Sequence, residues 1–106
     1  MKIDFVIIFV TCSSRREAGL IADSLLRKRL VACANIIDKV ESKFWWNGKI
    51  DKASETLVVF KTRSDNFKAA EKEVKRLHSY EVPEIIAMPI VSGSGEYLSW
   101  IKDSVK

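Results

Sequence analysis

The sequence predicts an α+β fold organised around one overlong β-hairpin, and three features carry that expectation. Asn47-Gly48 stands between two runs rich in aromatic and β-branched residues, the strongest short-range hairpin signal. Apolar residues recur at helical spacing in two separate segments. Two further strand-like runs lie outside the hairpin, one before the first helix and one after the second.

Residues 2–11 are a nearly continuous run of Phe, Val and Ile, the pattern of a strand covered on at least one face. Ser14-Arg15-Arg16-Glu17 fits a capping box, in which Ser14 and Glu17 satisfy each other's exposed backbone donors. Ala18, Ile21, Ala22, Leu25 and Leu26 follow at helical spacing, so residues 15–29 form an amphipathic helix. Arg27-Lys28-Arg29 close it, where cations complement the helix dipole. The second strand opens at residues 30–37. Asp38 and Lys39 then disturb the alternation before Phe44, Trp45 and Trp46 restore it, and a β-bulge there would bend the arm and re-aim its tip. Asn47 and Gly48 tolerate the positive φ that a type I′ turn needs. Residues 50–62 return, with Leu57-Val58-Val59-Phe60 as the buried half. Ser64 is a good N-cap for a second helix over residues 65–77, whose apolar face is Phe67, Ala70, Val74 and Leu77. His78-Ser79-Tyr80-Glu81-Val82-Pro83 breaks it. Residues 84–91 form a fourth strand, and Pro89 places part of it at an edge or bulge. Ser92-Gly93-Ser94-Gly95 is a turn, and residues 96–105 place Tyr97, Ile101 and Val105 on one face of a short helix.

The resulting order is the split βαβ, ferredoxin-like pattern: an antiparallel sheet in strand order 4-1-3-2, with both helices on one face and the other face uncovered. The hairpin arms, residues 31–46 and 49–62, each reach on the order of 45 Å at ~3.3 Å per residue. A globule of this length is only about 35 Å across, from a radius of gyration of about 13 Å. The hairpin overshoots its own domain, so Trp45, Trp46, Asn47 and Gly48 at its tip serve assembly, packing on another copy of the chain.

The chain has 106 residues, enough for one domain, residues 1–106, and one core. No run is long enough to insert in a membrane, and the first ten residues read as a strand rather than a signal peptide. The net charge of +4 permits an anionic partner, but no nucleic-acid motif accompanies it. No nucleophile–His–acid set and no phosphate-binding glycine loop is present, so an enzyme is not expected. Two cysteines without a CxxC pair point to a reducing compartment, the cytoplasm.

His78 is the only histidine. A histidine near a helix end either caps carbonyls or binds metal through its neutral imidazole. The predicted topology puts Cys12, at the end of strand 1, on the side of His78, and Cys33 at the opposite end of the sheet. That separation argues against a Cys12–Cys33 disulfide, which needs Cα atoms within about 7 Å. Cys33, between Ala32 and Ala34, reads as a small buried hydrophobe. Two ligands do not make a structural zinc site. Cu(I), which accepts few soft ligands, suits Cys12 and His78 better, with Glu81 or Glu84 completing a weak site.

Leu30-Val31-Ala32-Cys33-Ala34-Asn35-Ile36, Trp45-Trp46-Asn47-Gly48-Lys49-Ile50, Phe60-Lys61-Thr62, His78-Ser79-Tyr80-Glu81-Val82-Pro83-Glu84-Ile85 and Tyr97-Leu98-Ser99-Trp100-Ile101 occur in that order. Together they resemble the CutA divalent-cation tolerance family over essentially the whole chain. The resemblance implies a homotrimer with an architecture like that of the PII signalling proteins, and a link to tolerance of copper and other divalent metals. It also points to an inter-subunit cleft for a small anion or other ligand, gathering Cys33, Asn35, Lys61, Tyr80, Glu84 and Trp100 with Trp46 of a neighbouring hairpin. Two departures stand out. The family commonly has His-Pro-Tyr where this chain has His78-Ser79-Tyr80, and often Pro after the first strand where this chain has Cys12-Ser13-Ser14. Two other readings stay open: a PII-type sensor or adaptor acting on a partner protein, and a structural scaffold.

Overall fold

The computed structural model describes residues 2–106. β1 (Phe5–Cys12) runs between two neighbours, with Val6, Ile8, Val10 and Cys12 buried on one face and the alternate residues half-buried on the other. It pairs antiparallel with β3 (Lys49–Arg63), Ile8 opposite Phe60, and with β4 (Ile85–Pro89), Ile8 opposite Ala87. β2 (Cys33–Trp46) completes the sheet in the order β2-β3-β1-β4, the expected topology read from the other edge. Pro89 ends an edge strand, where its missing N–H interrupts no ladder.

α1 (Arg15–Arg27) begins at Ser14, whose extended backbone lets its Oγ accept the Glu17 N–H at 3.1 Å. The expected capping box closes differently: the Glu17 carboxylate accepts the N–H of Ser13, at 3.0 Å, rather than that of Ser14. The helix also stops two residues short of the expected end. Arg29 turns left-handed, φ 56°, and the Arg29 and Leu30 N–H groups return to the carbonyls of Leu26 and Leu25, both at 3.0 Å. That is a Schellman motif with arginine where glycine is usual.

Ser64 is not the N-cap of the second helix. It opens a 3₁₀ turn (Ser64–Asn66) and its Oγ donates to the Ile3 carbonyl, so α2 (Phe67–Leu77) starts three residues later. Ile21 and Leu25 of α1 and Val74 of α2 cover Ile8, Val10, Val58 and Phe60 of the sheet. Each such side chain stabilises the fold by roughly 1.5–3 kcal/mol. α3 (Gly95–Ser104) packs on β3 and buries Ile101 apart from that core. Arg29 ties it down, its guanidinium donating to the Ser104 carbonyl and its own carbonyl accepting the Lys106 N–H, both at 3.0 Å.

The hairpin turns at Asn47 and Gly48, φ 51° and 75°. Its register slips between Ile37 and Val40: Ile37 faces Leu57, but Val40 faces Glu55. One extra residue is accommodated on β2, with Lys39 left-handed at φ 57°, which is a β-bulge. The slip exchanges the faces of β2. Before it Cys33, Asn35 and Ile37 share the side of Lys61, Val59 and Leu57; after it Phe44 and Trp46 share the side of Glu55 and Asp51. Trp45 and Trp46, both expected to anchor assembly, therefore stand on opposite faces. The longest dimension of the molecule is 43 Å, close to the reach expected of a hairpin arm, and Trp45 at the tip is 73% exposed.

Candidate functional site

His78 caps α2 in extended conformation, and its ring reaches the end of β1. Nε2 lies 2.7 Å from the Thr11 carbonyl, and Nδ1 lies 3.0 Å from the Tyr80 N–H. A carbonyl only accepts and an amide N–H only donates, so Nε2 carries the proton and Nδ1 holds its lone pair toward Tyr80. Cys12, fully buried, and Glu17 complete a group whose ligand-type atoms lie within 4.8 Å of one another. Burial pushes the Cys12 thiol up to about 12, with Glu17 and Glu55 adding to the effect. Burial also pushes the Glu17 carboxyl up, but hydrogen bonds from Ser79 and Ser13 outweigh it and hold the carboxyl below its ordinary range. The Ser79 N–H donates to Glu17 Oε2 at 2.7 Å.

The expected approach of Cys12 to His78 is therefore present, and Glu17 joins it. Sequence reasoning assigned Glu17 only to the helix cap, which was the available signal. Glu81 and Glu84 do not belong to this group. They line a cavity of about 480 Å³ with Tyr80, on the far side of the break that follows α2. Phe44, Trp46, Asp51 and Glu55 of the hairpin form the opposing wall. Glu55 is only 8% exposed, and its Oε2 accepts the Tyr80 hydroxyl at 2.7 Å. Burial, then Glu55, push the Tyr80 phenol up to about 12.

The other residues of the expected cleft gather elsewhere. Lys61 Nζ donates to Asn35 Oδ1 and lies 4.0 Å from Cys33 Sγ. Burial, then Cys33, push up the Tyr97 phenol, and Tyr97 meets Trp100 with ring centroids 5.4 Å apart. Cys33, Asn35, Lys61 and Trp100 thus form one set, and Tyr80, Glu84 and Trp46 another. Lys61 and Glu55 stand six positions apart on β3, about 20 Å at ~3.3 Å per residue, so one chain cannot join the two sets. Cys33 is half-buried rather than sealed in the core.

Residues 6–104 match the family of CutA1 divalent ion tolerance proteins. The divalent-cation tolerance protein CutA of Archaeoglobus fulgidus is 46% identical over 99 residues, covering 93% of this chain and 96% of that protein. The chloroplastic protein CutA 1 of Oryza sativa is 38% identical over 101 residues, 95% of this chain but 57% of the rice protein. The solved structure of the periplasmic divalent cation tolerance protein CutA from A. fulgidus superposes with a TM-score of 0.93, at 45% identity over 96% of this chain and 99% of that one. The expected cytoplasmic location is overturned by these relatives, one periplasmic and one chloroplastic. The two free thiols carry no compartment information. Cys12 pairs with Thr56 and Cys33 with Lys61, five positions apart on β3 and on opposite faces, so neither compartment would join them.

Proposed function

This chain belongs to the family of CutA1 divalent ion tolerance proteins, and from that premise we propose that it binds copper-type cations as a homotrimer, at Cys12, Glu17 and His78. The observation that carries this reading is the convergence of a thiol, an imidazole and a carboxylate within 4.8 Å, a donor set suited to copper and zinc. The resting geometry is closed: the thiol is protonated and both ring nitrogens are engaged. Ligation by these residues requires the Cys12 proton to leave and Nδ1 to give up the Tyr80 N–H. Affinity is therefore weak at neutral pH and rises about tenfold per pH unit for the single proton released. Anaerobic Cu(I) competition titration at pH 7 and pH 8.5, with Zn(II) in parallel, tests this. His78→Ala and Cys12→Ser are expected to lose at least tenfold in affinity. Unchanged affinity in His78→Ala would remove the histidine from the site.

The trimer is the family's expectation, and the overhanging tip with Trp45 and Ile50 exposed supports self-association. Packing the open face of one sheet against a neighbour's hairpin offers a way to join the Lys61 set of one copy to the Tyr80–Glu84 set of another. The function is binding rather than catalysis. The alternative of a PII-like small-anion sensor draws no support from the cavity, whose described lining holds Asp51, Glu55, Glu81 and Glu84 and no Lys or Arg.

A further inference from the structure

The cavity at the base of the hairpin plays no part in the metal reading, yet it is built. Its volume, about 480 Å³, lies in the range of small-ligand pockets, roughly 300–1,000 Å³. In a chain of net charge +4, it brings together Asp51, Glu55, Glu81 and Glu84 with the aromatic rings of Phe44 and Trp46. Glu55 is more than nine-tenths buried, makes no ion pair among the described residues, and spends only Oε2 on Tyr80. Among the described residues no sealed side-chain oxygen lacks a partner. Oε1 is therefore not sealed, and Glu55 lines the cavity. A nearly buried carboxylate calls for a cation.

A bare metal ion fits poorly. Among the described residues no three carboxylates of the cavity converge as metal ligands, whereas hard divalent ions take six to eight oxygens at about 2.3–2.6 Å. Aromatic walls beside dispersed carboxylates suit a cation with an apolar stem, held by ion pairing at its head and by the ring faces. We propose that this cavity is a site for an alkylammonium or guanidinium group, with Glu55 as its principal counter-ion. The group comes either from a free amine or from a Lys or Arg side chain of a second copy of the chain.

The full chain is tested by thermal unfolding with spermidine, agmatine or calcium chloride, and by sedimentation equilibrium, for wild type, Glu55→Gln and Glu84→Gln. Glu84 is exposed, so its variant keeps the test alive if Glu55→Gln does not fold. A rise in midpoint of about 5 °C or more with the amines, lost in the variants, identifies a free cation. No rise with amines, but tenfold weaker self-association in the variants, identifies a side chain of a second copy. An equal rise with calcium, or no effect of the variants on either measurement, overturns the proposal. Neither arm depends on Cys12 or His78, so failure here leaves the metal reading standing.

Discussion

Glu73 shows how much one side chain can carry. It projects from α2 with its carboxylate 8% exposed and accepts from Ser24 of α1, from Arg76 at 2.7 and 2.9 Å, and from Lys28 at 2.9 Å. Those bonds, from Arg76 first, then Ser24 and Lys28, outweigh burial and hold the carboxyl far below its ordinary range. A depressed folded pKa contributes stability above the unfolded value of about 4.3, and that contribution is lost as pH falls toward the folded pKa. Glu73→Gln is expected to cost about 2 kcal/mol at pH 7, with the gap to wild type narrowing between pH 5 and pH 3 in urea unfolding. Tyr80→Phe is expected to cost about 1–3 kcal/mol, since it leaves the Glu55 carboxylate without its only side-chain hydrogen bond among the described residues; urea unfolding at pH 7 checks it. Arg76 lies three residues along the same helix and was legible as a neighbour of Glu73; the long-range partnerships were not. Ser24 and Glu73 stand 49 positions apart, Glu55 and Tyr80 25, and no local pattern encodes such a meeting. His78 as a carbonyl cap was legible, because a lone histidine at a helix end has few other tasks.

At the scale of elements, the pairing of β2 with β3 decides which tryptophan faces the cavity, and the bulge takes up the extra residue. Asp38-Lys39 announced it by breaking the alternation, but the exchange of faces that follows needs the register. Deleting Lys39 leaves Asp38 alone opposite Thr56 while Val40 keeps its place opposite Glu55, so the bend of the bulge is lost but Trp46 stays on the Glu55 face. The expected result is a folded protein in which Trp45 remains more quenched by acrylamide than Trp46, resolved with single-tryptophan variants; the reverse order would show that the faces had been exchanged. Lys39→Gly removes the strain of a left-handed non-glycine residue and is expected to stabilise by about 1 kcal/mol, read by the urea midpoint. Helix boundaries were less legible than helices. Arg29 gives no sign that it will turn left-handed, and Ser64 looks like a cap although its hydroxyl is claimed by Ile3.

For the whole molecule, the helix-covered core followed from apolar periodicity and the strand order from the ferredoxin-like succession of elements, which is why both were legible down to the pairing of β1 with β3. The open face, expected to lack any cover from its own chain, is in part covered by α3, which packs on β3. Ile37, Ile86 and Met88 remain about half exposed, apolar surface that a second copy could cover. Sedimentation equilibrium at micromolar concentration is expected to give three times the chain mass, and Trp45→Ser to weaken association at least tenfold; a single-chain mass for wild type would defeat the assembly reading. One small bond has a larger meaning at this scale. Where the family commonly places a proline, with no amide hydrogen to give, this chain has Ser79, whose N–H is fastened to Glu17. The segment bearing His78 is thus moored by a carboxylate rather than stiffened by a ring. Acid that protonates Glu17 slips that mooring, so this histidine hangs on a clasp that proton concentration can undo.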